Sequence, residues 1–172
     1  MSGPISDTEL VEGMRRSMRG LASSVSVLTC RMRDGSRHAM VATSVTSLCL
    51  DPPAMLVCVN RSASFHRALA EQQGFCINIL GRTHLPVANQ CATGASGEAR
   101  FAGGDWLSDE SGIPYLADAQ AAILCTQEQR MSYGTHDIVI GRVRDVRLAG
   151  TVDPLLYADG AFCWLHRESD AA

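Results

Sequence analysis

Aromatic side chains are scarce in this 172-residue sequence, which has two Trp, three Tyr and four Phe. A surface that stacks nucleic-acid bases needs more of them, and a formal net charge of −3 provides no basic footprint for a phosphate backbone or an anionic membrane. No apolar run approaches the roughly 18 residues of a spanning helix, and no N-terminal apolar region with a cleavage site is present. The seven cysteines (positions 30, 49, 58, 76, 91, 125 and 163) are odd in number and form no CxxC pair. Most lie in apolar runs such as AMLVCVN and FCINIL, which suits reduced thiols packed as small hydrophobes in a cytoplasmic protein. None of His38, His66, His84, His136 and His166 stands at ligand spacing from another His or Cys, so no metal site is expected. The GxGxxG, P-loop and HExxH patterns are also missing, so a dinucleotide, if used, is not held by a Rossmann turn.

What is present is an ordinary globular balance, 46% hydrophobic and 19% charged, in a chain long enough to bury one core. The sequence predicts a single domain over residues 1–172, with a helix at about 6–20, a barrel at about 22–165 and a short C-terminal tail. Ser6 and Glu9 make a capping box, and Leu10, Met14, Met18 and Leu21 form a helical stripe ended near Gly20. Asp34-Gly35 and Asp159-Gly160 are hairpin turns. SASFHRALAEQQG reads as a short helix with Ser62 or Ser64 as N-cap, and a second helix is expected around PVANQCA. Thr93 to Gly104, rich in Gly, Ala and Ser, reads as a mobile surface loop. About seven strands with hairpin turns and few helices predict a mainly β fold, an antiparallel barrel with helices packed outside.

One predicted strand is unusual. In HAMVATSVTSLCL, period two puts Thr43, Ser47 and Cys49 on one face and Ser44 and Thr46 on the other. Hydroxyls buried on both faces need partners, or cost about 1–3 kcal/mol each. Either they bond neighbouring backbone, or they read the edge of a flat heteroaromatic ligand that small side chains let approach. Asn60, Arg61, Ser62 and Ser64 follow at a helix start, a ready phosphate site. Arg100 and Phe101 put a cation beside an aromatic, suited to a ring or a phosphate but equally to an ordinary surface pair. His136 opens an apolar strand after a glycine, at a cleft mouth or in a solvated turn.

Taken together and in order, MVATSVTSLCLDPPAMLVCVN, FCINIL, RF with Trp106 beyond it, GIPYL, YGTHDIVIGRV and PLLYADGAFCWL resemble the flavin reductase-like family, from about Met14 to Leu165. These are the small NAD(P)H:flavin oxidoreductases of two-component monooxygenases, such as those serving phenol and hydroxyphenylacetate hydroxylases. The resemblance implies an antiparallel split β-barrel and a homodimer with flavin near the subunit interface. It implies that Thr43, Ser44, Ser47 and Cys49 contact the flavin ring and ribityl chain, and Asn60, Ser62 and Ser64 the phosphate end. Arg100 and Phe101 match the family's Arg-Phe pair near the phosphate or adenine, His136 the histidine beside the nicotinamide, and Tyr157 a further candidate in the cleft. The sequence departs from the family at Ala39 and Val41, where Gly and Thr are common, at Cys49 for Ser, and at Thr135 for Asp.

The activity so implied is hydride transfer from NADH, rather than NADPH, to FAD or FMN. It needs two rings stacked at about 3–3.5 Å rather than a carboxylate dyad or a metal. Reduced flavin then leaves for a separate monooxygenase acting on an aromatic substrate. A non-catalytic flavin- or haem-binding split barrel is the alternative. A pyridoxamine phosphate oxidase-like enzyme ranks lower, for want of an Arg and Lys cluster.

Overall fold

A computed structural model describes residues 5–92 and 95–166. Thr93 and Gly94 of the expected loop, and most of the expected tail, lie outside the described residues. In chain order the elements are α1 (Asp7–Met18), β1 (Ser23–Ser24), β2 (Ser26–Arg31), β3 (Arg37–Ala42), β4 (Val45–Leu50), β5 (Pro53–Asn60), α2 (Ser64–Ala70) and β6 (Gly74–Ile79). After them come α3 (Leu85–Ala92), β7 (Trp106–Ser108), β8 (Pro114–Leu116), β9 (Ala121–Tyr133), β10 (His136–Leu148), β11 (Leu155–Ala158) and β12 (Ala161–Trp164). Among the described residues, no helix is long and apolar enough to cross a membrane.

The main sheet has seven strands in the order β3-β2-β6-β9-β10-β5-β4, every neighbouring pair antiparallel. Its two edge strands, β3 and β4, are consecutive in the chain and are joined by only Thr43 and Ser44. In a flat sheet these edges would stand about 29 Å apart, six spacings of about 4.8 Å. Two linking residues reach about 11 Å at most. The sheet therefore curls until its edges meet at Thr43-Ser44, yet β3 and β4 do not pair. This is a split barrel, as the family resemblance implied.

Local sequence explains most of the rest. The Ser6–Glu9 capping box forms, with Ser6 N–H donating to Glu9 Oε2 at 2.9 Å and Glu9 N–H to Ser6 Oγ at 3.3 Å. Asp159 and Gly160 both take positive φ, 49° and 80°, the geometry that a two-residue hairpin between β11 and β12 requires. Two bulges, one at Glu128 of β9 opposite Ile140/Gly141 and one at Arg144 of β10 between Val143 and Asp145, bend the two long strands. A Cβ on Gly141 would come within 2.5 Å of the Phe75 ring, so the core closes there only around glycine.

Two apolar clusters share the β2–β3 wall. Inside the barrel Leu28, Val57, Val59, Phe75, Ile77 and Val139 pack with Phe65 and Leu69 of α2. Outside it Val25, Val27, Leu80 and Leu155 pack with Val87 and Ala88 of α3 and with Phe101. Three expectations change. The hydroxyl-rich stretch is not one buried strand: it breaks at Thr43-Ser44, and β4 from Thr46 to Leu50 is exposed, because β4 is a sheet edge that none of the described residues covers. The segment expected as a loop contains a 3₁₀ turn, Gly97–Phe101, fixed by the buried Phe101 ring. Neither Ser62 nor Ser64 caps α2; Ala63 stands at the N-cap and Ser64 is the first helical residue.

The thiols follow burial. Cys30, Cys76, Cys91 and Cys125 are buried, Cys58 and Cys163 half-buried, Cys49 exposed, and all are free. Burial pushes Cys30 and Cys125 up to about 12 and Cys91 up to about 11, and raises Cys76 as well. With an aromatic disulfide reagent at mildly alkaline pH, Cys49 is expected to react first, and these four only after denaturation. Rapid native labelling of Cys30 or Cys125 would show that the core opens.

Candidate functional site

The seam at Thr43-Ser44 is the place where the curled sheet leaves its interior edge open. A cavity of about 400 Å³ lies against it, lined by Val25, Met40, Val41, Ala42, Thr43, Cys91, Ala92, Arg100, Tyr157 and Phe162. Its walls are mainly apolar, with one hydroxyl (Thr43), one phenol (Tyr157) and one guanidinium (Arg100). This donor set fits a heteroaromatic ligand bearing an anionic tail. Tyr157 is braced edge-on by Phe162, centroids 5.5 Å apart. Arg100 is held in place by Ala95 O, 2.7 Å from its Nε, and by the carbonyl of Ala39.

The sequence candidates fall into three groups. Thr43, Arg100 and Tyr157 share the cavity. Phe101 does not line it: its ring is buried, 5.0 Å from Trp106 and capped by the Arg37 guanidinium at 4.4 Å, so it anchors the backbone that carries Arg100. Ser44, Ser47 and Cys49 run along the open edge. Ser44 Oγ donates to Cys58 O at 2.9 Å, while Cys58 N–H donates to Ser44 O at 3.1 Å, so the corner is stitched to β5. A bulge between Ser47 and Cys49 interrupts the expected alternation, and the Cys49 thiol donates to Pro52 O at 2.9 Å. Ser47 is exposed on this edge.

Asn60, Ser62, Ser64 and His136 form the third group, at the end of the barrel where β5 meets β10. Asn60 Oδ1 accepts from the Ser62 N–H at 2.9 Å and the Ser62 hydroxyl at 2.8 Å, a turn that aims the chain into α2. His136 pairs with Asn60 across the sheet. Its Nδ1 lies 2.9 Å from Thr135 Oγ1, so Nε2 is the ring nitrogen left toward solvent. Arg61 N–H donates to Thr135 O at 3.0 Å, and the Arg61 guanidinium donates to Gly134 O.

Beneath His136 lies a network that sequence reading missed. Adjacent strand residues point to opposite faces, so Asp137 turns inward where His136 turns outward. The Asp137 carboxylate, 4% accessible, accepts from His66 Nε2 of α2 at 2.7 Å and from Ser132 Oγ at 2.7 Å, with Arg130 Nε 3.7 Å away. The hydrogen bond from His66, then that from Ser132, hold the carboxyl below its ordinary range. Segment 134–137 and segment 60–66 are thereby tied at several points. The only sequence signal was an Asp directly after the singled-out histidine. Among the described residues, no cluster of His, Cys, Asp or Glu could hold a metal ion.

The profile of the family described as "Flavin reductase like domain" matches residues 18–166. Over 158 residues the chain is 38% identical to the FMN reductase (NADH) RutF of Pseudomonas syringae pv. syringae, covering 92% of this chain and 88% of that one. It is 35% identical over 153 residues to the reductase component of the FADH(2)-dependent resorcinol hydroxylase of a Rhizobium species, covering 88% and 86%. Among solved structures, it superposes with a TM-score of 0.86 and 25% identity on the NADH:FAD oxidoreductase SgcE6 of Streptomyces globisporus C-1027 in complex with NAD and FAD fragments, covering 98% of this chain and 100% of that chain.

Proposed function

This chain belongs to the flavin reductase-like family, and on that premise we propose that it is a single-domain NADH-dependent flavin reductase supplying reduced FAD or FMN to a separate monooxygenase with an aromatic substrate. The observation that carries the reading is the cavity at the split-barrel seam, where apolar walls, the Thr43 hydroxyl and the Arg100 guanidinium converge. Bound together, flavin and NADH supply the whole redox step, a hydride passed from nicotinamide to flavin.

The protein's share is placement. Thr43, with the backbone of the seam and the Ser44–Ser47–Cys49 edge, lies along the flavin ring and ribityl chain. The Asn60–Ser62 turn and Ser64 face the phosphate end. Arg100 offsets negative charge at the cavity's far side, near a phosphate or adenine, with Phe101 beneath it. Tyr157 walls the cleft, and His136 orients the nicotinamide through Nε2. These side chains hold rings in register and exclude water, and none needs to move a proton.

A second copy of the chain is the natural cover for the open edge. Leu48 and Leu50 on β4 and Leu10 and Met14 on α1 are all about half exposed or more. Large apolar groups left bare on an edge strand and a helix face favour a homodimer. Seven free thiols suit a reducing cytoplasm.

The test is NADH oxidation by the purified protein, followed by absorbance with FAD, FMN or no added flavin. Oxidation that saturates in free flavin is expected, and it would name the preferred flavin. A retained chromophore with no NADH turnover would instead mark a flavin- or haem-binding protein.

A further inference from the structure

One edge of the main sheet is covered by a turn rather than by a strand. β3 pairs only with β2, and its free side carries the Arg37 N–H and the Ala39 carbonyl. Side chains of the Gly97–Phe101 turn take both groups. Glu98 Oε1 accepts from the Arg37 N–H at 3.2 Å, and the Arg100 guanidinium donates to Ala39 O. Successive residues of a strand alternate in direction, so residues 37 and 39 present their groups alike and the turn docks in step with the edge.

Arg37 then grips the turn from outside. Its Nε donates to Glu98 Oε1 at 3.2 Å and to Oε2 at 2.9 Å, with Nη2 also on Oε2, and the same guanidinium lies over the Phe101 ring. One side chain thus holds residues 98 and 101, on either side of Arg100. From α3, Gln90 Nε2 donates to Ala99 O at 2.7 Å and the Cys91 thiol to Arg100 O at 3.5 Å. An exposed ion pair is ordinarily worth little, but a forked one that also takes a backbone N–H fixes geometry. Hydrogen bonds from Arg37 hold the Glu98 carboxyl below its ordinary range, so the latch is charged at neutral pH. The partners of the Arg100 guanidinium are carbonyls, Ala95 O and Ala39 O, which leave its charge uncancelled beside the cavity it lines.

We propose that Arg37 and Glu98 are positioning residues for flavin, a latch that sets the Arg100 guanidinium at the wall of the seam cavity. Neither residue lines that cavity, so the latch acts on flavin only through Arg100. Without Glu98 the turn keeps Phe101 and its bonds to α3, but its first half is no longer fixed to β3, and the charge at its centre is less firmly placed. The proposal rests on the reductase reading, in which Arg100 offsets negative charge on the bound flavin.

Equilibrium dialysis of the purified protein against FMN or FAD reads affinity without turnover. Arg100→Ala is expected to raise the Kd about tenfold, the loss of one charge-assisted contact. Glu98→Ala is expected to raise it about fivefold, and Glu98→Gln, which keeps an acceptor oxygen without the charge, about twofold. The double variant Glu98→Ala/Arg100→Ala should bind no more weakly than Arg100→Ala, because the latch then has nothing to position. Glu98 is exposed, so its variants fold, with a fall in Tm of about 2 °C or less. Should Arg100→Ala not fold, Arg100→Gln takes its place in the cycle. An unchanged Kd in Glu98→Ala, or a full further loss on top of Arg100→Ala, would overturn the proposal. A wild-type protein that bound neither flavin would sink the reductase reading and the latch with it. One that bound flavin equally well with and without Glu98 would sink the latch alone.

Discussion

His136→Ala is expected to raise the KM for NADH about tenfold while changing the KM for flavin less than threefold, the loss that one ligand hydrogen bond predicts. The asymmetry follows from where the ring sits. His136 opens β10 opposite Asn60, with Nδ1 engaged by Thr135 and Nε2 directed outward, so its free nitrogen is open to a ligand arriving from solvent. Thr135→Val removes the Nδ1 partner and keeps the imidazole. It should therefore give a smaller rise in the same constant, because the ring is then less firmly oriented. Initial-rate kinetics with each substrate varied in turn decide the matter. A rise in the flavin KM with that for NADH unchanged would put His136 at the flavin instead.

The second large effect is expected at Asp137. Asp137→Ala leaves the His66 imidazole, the Ser132 hydroxyl and the Arg130 guanidinium facing a hole where a carboxylate stood, which is the kind of uncompensated polar burial that destabilises most. A fall in Tm of about 5–10 °C is expected for a chain of this size. The acid dependence has a definite sign. Because hydrogen bonds from His66 and Ser132 lower the folded carboxyl below its ordinary value, its contribution is present above an unfolded value of about 4 and is lost as pH falls through the lower folded value. The gap in Tm between wild type and Asp137→Ala should therefore be wide at neutral pH and narrow below about pH 4. A gap that held constant into acid would mean that packing, not the ionised carboxylate, supplies the stability. Asp137→Asn separates placement from folding. If the network holds α2 and His136 in one frame, this milder change should raise the KM for NADH more than it lowers kcat.

Much of this protein was legible in its sequence, and the reason differs by element. The α1 cap, the strands β9 and β10 and the Asp159-Gly160 hairpin follow from rules that act within a few residues: a side chain reaching its own helix end, apolar runs bounded by turns, a φ that favours glycine. The family could be read because its motifs keep their order along the chain, whatever each does locally. Thr43, Asn60, Arg100 and His136 were picked out as chemistry-bearing residues by type and position alone, and Tyr157 only through the family resemblance.

What sequence could not decide was exposure and company. Period two describes a strand's two faces but not whether a face is covered. The hydroxyls at 43 to 49 read as buried, and only the sheet order, with β3 and β4 at opposite edges, makes them the open lip of a seam. Phe101 was a ligand candidate until Trp106 and Arg37 were seen to enclose it. Asp137 meets His66 from 71 residues away. Composition and local pattern determined which groups this protein has to work with. The closure of the barrel, a matter of long-range pairing with no local signature, determined which of them face one another.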